Sequence, residues 1–254
     1  MNTAMVAVTG DLYDAVVLDM DGVITDTATV HAAAWKRTFD AFLAGWSSGY
    51  RATQEAFTDD DYLTYVDGKH RDDGVASFLA SRGIDLPRGA VTDPPDRDSV
   101  WGVANRKNCD FQRTLRERGV QAFPTSVGFV RRLQAHGIGT AIVSASRNCR
   151  DVLAAAGIGD LFTVRVDGIV AEELSLRGKP APDIFVEAAR RLGAAPERAV
   201  VVEDAIAGVQ AGKAGGFALV IGVDRTGHAD ELHLNGADVV VRDLGEVCVT
   251  GTPS

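Results

Sequence analysis

The chain has 254 residues, 46% of them hydrophobic, enough to bury one large core or a core with a smaller partner domain. A formal net charge of −9 without any cluster of Lys and Arg excludes a typical nucleic-acid binder, yet permits a small anionic substrate held by local cations and a metal. Three cysteines, Cys109, Cys149 and Cys248, lack CxxC spacing, so a disulfide framework and a structural zinc site are not expected, and a reducing cytoplasm is.

In chain order, Met1 to Asp14 has neither a basic start nor a continuous apolar stretch, so no signal peptide is expected. No segment approaches the roughly 18 apolar residues of a membrane span. Ala15 to Leu18 is the first short apolar run without alternation, the pattern of a strand buried on both faces. The rhythm then breaks from about Thr27 to Arg118. His31 to Leu43 is amphipathic, with Trp35, Phe39, Phe42 and Leu43 able to share one helix face, and Leu86 to Ser99 is a Pro-, Asp- and Arg-rich loop. Beyond it, helix and strand alternate. Phe129–Gln134 is helical before Gly137, and Thr140–Val143 is a strand. Cys149–Ala156 is helical up to Gly157. Asp183–Leu192 is a helix behind Pro180 and Pro182 that stops at Gly193. Ala199–Val202 is a strand, Ala205–Ala214 a helix ended by Gly215-Gly216, and Ala218–Val223 and Asp238–Val241 are further strands. This alternation predicts a doubly wound α/β core with a parallel sheet and a mostly helical domain inserted after the first strand. The boundaries expected are core 1–27, helical insertion 28–118 and core 119–254.

In such sheets ligands bind beyond the carboxyl ends of the strands. There the runs end in Asp19-Met20-Asp21-Gly22, in Ser144-Ala145-Ser146 and in Glu203-Asp204, while Gly178-Lys179-Pro180 offers a cation at a helix start. Oxygen ligands from Asp19 and Asp204 suit a hard cation such as Mg2+, which prefers carboxylates, water and phosphate. Asp19 can act as a carboxylate nucleophile and Asp21 as general acid and base. Ser144 can donate to a phosphoryl oxygen, and Lys179 can neutralise one. Each motif alone has a plainer reading, as a loop, a cap, a solvated lysine or an N-cap pair. The ordered combination, each group at a strand or helix end, points to phosphoryl transfer.

Asp19 to Thr27 resembles the first motif of the haloacid dehalogenase superfamily, and Ser144, Lys179 and Glu203-Asp204 follow in the order of its other motifs. His31–Lys36, Arg106–Asn108, Ser144–Asn148, Gly178–Phe185 and Glu203–Ala211 are similar to segments of its β-phosphoglucomutase-like subfamily. The resemblance implies a Rossmann-like core with a helical cap, bound Mg2+, and interconversion of β-glucose 1-phosphate and glucose 6-phosphate through the 1,6-bisphosphate. It makes Asp19 the nucleophile and Asp21 the acid/base, with Asp19, Asp21, Glu203 and Asp204 around the metal. Thr27 and His31 would lie at the hinge and Trp35 in the substrate cleft. Arg71 would hold the phosphate that is not transferred, helped by Ser146 and Asn148, Gly68 and Ala145 would also bind phosphate or substrate, and Lys107 would reach the sugar. The partners implied are a small sugar phosphate and its bisphosphate, with no nucleic acid or membrane, for a monomer or weak dimer. Asp67 stands where relatives carry a lysine, Arg147 replaces another lysine, and the cap is longer around Leu86–Val103, differences that bear on sugar specificity. A sugar-phosphate phosphatase, and a non-catalytic binding protein on the same scaffold, are the competing readings.

Overall fold

The structure, a computed structural model, describes residues 6–50, 53–225 and 227–251. Part of the Met1–Asp14 segment considered above lies outside them. Contacts divide the chain into two compact units, Met1–Asp26 with Val120–Ser254, and Thr27–Gly119. The chain begins with β1 (Ala7–Thr9) and β2 (Ala15–Asp19). The inserted unit then holds α1 (Ala28–Tyr50), α2 (Asp59–Asp61), α3 (Arg71–Ser81) and α4 (Val100–Arg118). The remainder is α5 (Pro124–Ala135), β3 (Gly139–Val143), α6 (Cys149–Ala155), β4 (Val164–Val166), α7 (Gly168–Glu173), α8 (Asp183–Arg191), β5 (Ala199–Glu203), α9 (Ile206–Ala214), β6 (Leu219–Val223), α10 (Ala229–Leu234), β7 (Val239–Val241) and β8 (Cys248–Thr250).

Six parallel strands form one sheet in the order β4-β3-β2-β5-β6-β7. The chain steps from β2 to one side through β3 and β4, then returns to β5 and runs the other way. The topological switch point therefore lies between β2 and β5, where a doubly wound sheet opens its crevice. Asp19 is in register with Val143, and Leu18 with Val202, so Ser144 and Glu203 stand level with or just past Asp19. The two central strands have every residue buried, as their unbroken apolar runs require. Val17, Val143 and Val201 join Phe185 and Ala188 of α8 and Val209 of α9 in one core cluster. The doubly wound expectation is met. The structure adds strands absent from the sequence reading: β4, and the separate parallel pair β1–β8, which makes the insertion follow the second strand in chain order.

The inserted unit is helical, and among its described residues there is no strand. Trp35, Phe39, Phe42 and Leu43 of α1 are buried together against Phe57, Phe78 and Val103, the face read from their spacing. Helix α1 is longer than the expected His31–Leu43. Thr58 and Asp61 form a capping box that starts α2, which continues into a wider helical turn, Tyr62–Val66, and Ser99 caps α4 by accepting from the Gly102 amide. Residues 82–99 carry neither helix nor strand but are held by side chains. Asn105 Nδ2 donates to the carbonyls of Val91 (3.0 Å) and Asp93 (2.8 Å), and Ser99 Oγ donates to Asp93 (2.6 Å).

Candidate active site

At the carboxyl end of β2 the chain turns sharply. Gly22 permits the turn with a φ of +76°, and a Cβ there would lie 1.7 Å from Asp204 Oδ2, so the Asp204 carboxylate occupies the space a side chain would need. Asp19, 5% exposed, accepts from Lys179 Nζ on Oδ1 at 2.6 Å and from the Asp21 amide on Oδ2 at 2.9 Å. Ser144, fully buried just past β3, donates to Asp21 Oδ2 at 3.3 Å and accepts from the Ser146 amide at 3.1 Å. Ser146 Oγ in turn accepts from the amide of buried Asn148 at the head of α6, and Ala145 lies between these linked residues.

Lys179 is buried between Asp19 and Glu203 and ion-pairs with both. Glu203 is fully buried, and its second oxygen accepts from the Ala205 amide at 2.7 Å. Both Glu203 oxygens are thus engaged within the protein. Helix α9 covers this carboxylate closely, for a Cβ on Gly208 would stand 1.8 Å from Glu203 Oε1. Burial disfavours the charged form of Lys179, but Asp19 and Glu203 outweigh it and hold the ammonium charged. Burial pushes the Asp19 carboxyl well above the usual carboxylate range; Lys179 opposes this, while Glu203 and Asp21 add to it. Burial, with Asp167 and Asp21 nearby, drives the Cys149 thiol far up, so Cys149 is no thiolate nucleophile.

Four carboxylates, Asp19, Asp21, Glu203 and Asp204, share this edge with the single Lys179 ammonium. That negative excess, presented on hard oxygen donors, fits Mg2+, which uses one or two carboxylates and fills its shell with water and phosphate. Among the described residues no three His, Cys, Asp or Glu side chains converge as a ready metal cage.

The remaining expected residues lie in the inserted unit. Thr27 is fully buried, and its carbonyl accepts from the His31 amide at 2.8 Å. On α4, Lys107 is 4% exposed; its ammonium meets His31 Nδ1 and sits 5.0 Å from the ring centroids of both Trp35 and Phe111. Burial, and then Lys107, hold the His31 imidazole well below its ordinary pKa. Arg71 opens α3 after Gly68, which has a φ of +71°; it donates to Asn105 Oδ1 at 3.0 Å and lies over the Trp101 ring. Within each unit the structure brings these residues together: nine in the core, and His31, Trp35 and Lys107 in the insertion. Asn105, Trp101 and Phe111 were missed in the sequence. Their signal was available, since Trp101 and Asn105, like Lys107 and Phe111, are spaced by four on one helix.

A family model described as haloacid dehalogenase-like hydrolase matches residues 13–216. The chain is 48% identical over 240 residues to a β-phosphoglucomutase of Mycobacterium tuberculosis, covering 92% of this chain and 90% of that protein. It is 47% identical over 129 residues to a trehalose-phosphate phosphatase of Mycobacterium leprae, covering 49% of this chain and 28% of that protein. A solved β-phosphoglucomutase of Clostridium difficile shares the fold, with a TM-score of 0.72, 22% identity and 92% of each chain covered. The chain is an enzyme of the haloacid dehalogenase-like hydrolase family.

Proposed function

We propose that the chain is a Mg2+-dependent β-phosphoglucomutase that transfers phosphoryl groups through an aspartyl-phosphate on Asp19. One observation carries this reading: the Asp19 carboxylate is buried at the switch point and oriented by two donors, the Lys179 ammonium and the Asp21 amide. An Asp19 oxygen attacks phosphorus, the phosphorus–oxygen bond to the sugar breaks, and Asp21 gives its proton to the leaving oxygen. In the return step Asp21 takes the proton from the other sugar hydroxyl as that oxygen attacks the aspartyl-phosphate. Ser144 and Lys179 stabilise the transferring oxygens, with Glu203 holding Lys179 in place. Asp19, Asp204 and the Asp21 carbonyl are the proposed metal ligands; Mg2+ supplies charge neutralisation when bound. In the insertion, Thr27, His31, Trp35, Gly68, Arg71 and Lys107 are proposed as substrate-binding residues, with Arg71 as the cation for a second phosphate and Lys107 reaching the sugar. The compartment proposed is the cytoplasm.

The mutase reading is favoured by the near-complete coverage of the β-phosphoglucomutase relative. A second reading, a sugar-phosphate phosphatase, is favoured by the shorter match to the trehalose-phosphate phosphatase. A phosphorus NMR time course with Mg2+, β-glucose 1-phosphate and a trace of the 1,6-bisphosphate separates them. Glucose 6-phosphate is the expected product; free phosphate alone would establish the phosphatase instead. Asp19→Asn is expected to abolish turnover, and full activity in that variant would remove Asp19 as nucleophile.

A further inference from the structure

We propose that Arg225 is a positioning residue that sets the catalytic turn after β2; the inference rests on the functional reading above and extends it. The turn closes on itself on its inner side. Gly22 N donates to Thr25 O at 2.8 Å, and Ile24 N and Thr25 N both donate to Met20 O, at 2.9 and 3.0 Å. The Gly22 carbonyl takes no part in this ring and instead accepts from Arg225 Nε at 2.8 Å, across 203 residues of chain.

The guanidinium that reaches it is fixed from other directions. Its carbon lies 3.6 Å from the Phe123 ring centroid. Nη1 is 3.3 Å from Asp243 Oδ2, and Nη2 donates to Ser126 Oγ at 3.3 Å. Asp243 is itself anchored, accepting from Thr125 Oγ1 at 2.8 Å and from the Gly245 amide at 2.7 Å. A planar fork with several donors and a stackable face can satisfy all of these at once, whereas a lysine ammonium cannot.

Gly22 is therefore held between two groups: the Arg225 guanidinium on its carbonyl and the Asp204 carboxylate against its α-carbon. Asp21 precedes it directly. A small shift of Gly22 moves the proposed acid/base and the seat of Asp204 together, and losses of this kind reach about 100-fold in rate for a misplacement of about 1 Å. Arg225 acts through Gly22 rather than on the reacting atoms, so its removal should lower kcat and leave KM nearly unchanged.

The test compares wild type, Arg225→Gln and Asp243→Asn in the full chain. Asp243→Asn weakens the ion pair behind the guanidinium without touching the bond to Gly22. Two readouts are taken: kcat and KM for β-glucose 1-phosphate, and hydrogen exchange of the peptide spanning 19–25 without substrate. Arg225→Gln is expected to lower kcat about 10- to 100-fold with KM within about twofold, and to speed exchange in that peptide about tenfold. Asp243→Asn should change each by less than about threefold. Exchange in the peptide at the wild-type rate in Arg225→Gln would overturn the proposal, whatever the activity. So would an unchanged kcat per folded molecule. A wild type with no phosphoryl-transfer activity would instead defeat the functional reading, leaving the exchange result to decide the positioning role.

Discussion

Replacing Gly208 by alanine isolates the packing that holds the proposed site together. In an ordinary helix interior, Gly→Ala stabilises by about 1 kcal/mol through reduced backbone entropy. Here the added Cβ would stand 1.8 Å from Glu203 Oε1 and 2.0 Å from its carboxyl carbon, far inside contact distance. Glu203 must retreat by more than about 1 Å to restore a normal contact. It is fully buried, with one oxygen on the Ala205 amide and the other on Lys179, so retreat breaks the ion pair. Overpacking costs about 1–3 kcal/mol and loss of one charge-assisted hydrogen bond about 2, so after the helix gain of about 1 the net destabilisation should be about 2–4 kcal/mol. Urea unfolding at neutral pH measures it, and turnover per folded molecule should drop at least about tenfold as Lys179 loses its second partner. On a Glu203→Ala background the obstructing atoms are gone. There Gly208→Ala should be neutral or stabilise by about 1 kcal/mol, a strong non-additivity. A Gly208→Ala single variant that is more stable than wild type and fully active would refute the reasoning.

Lys179→Met should be more severe, because it leaves two buried carboxylates facing each other without their cation. A loss of about 3–5 kcal/mol in urea unfolding and of about 100-fold or more in turnover is expected, and a stable, active variant would contradict it. His31 predicts a pH dependence of stability. Its folded pKa is depressed, so the unfolded chain takes up the proton first; the stabilisation is complete above the unfolded value near 6.5 and is lost as pH falls below it. Between pH 7.5 and 5.5, wild type should lose about 1.4 kcal/mol more stability than His31→Gln. Parallel unfolding curves for the two proteins would disprove it.

Much of the fold was legible in the sequence because buried parallel strands write themselves as unbroken apolar runs. Ala15–Leu18, Thr140–Val143 and Ala199–Val202 became β2, β3 and β5, and the candidate site residues stand at their ends. The face of α1 could be read for the same reason, since a helix buries residues at a regular period. The three-residue strands β1, β4 and β8 escaped, although β7 of the same length was read within Asp238–Val241, and their strand character comes from pairing with a neighbour. Partner choice was equally invisible. Glu203 and Asp204 look alike as adjacent acids, yet one is buried under Gly208 on Lys179 and the other lies against Gly22. Successive residues leave a strand on opposite sides, and which side meets a lysine and which the turn after β2 depends on segments far away in the chain. Long-range side-chain bonds such as Arg225 to Gly22 leave no local pattern; they exist because packing has closed a gap of some 200 residues.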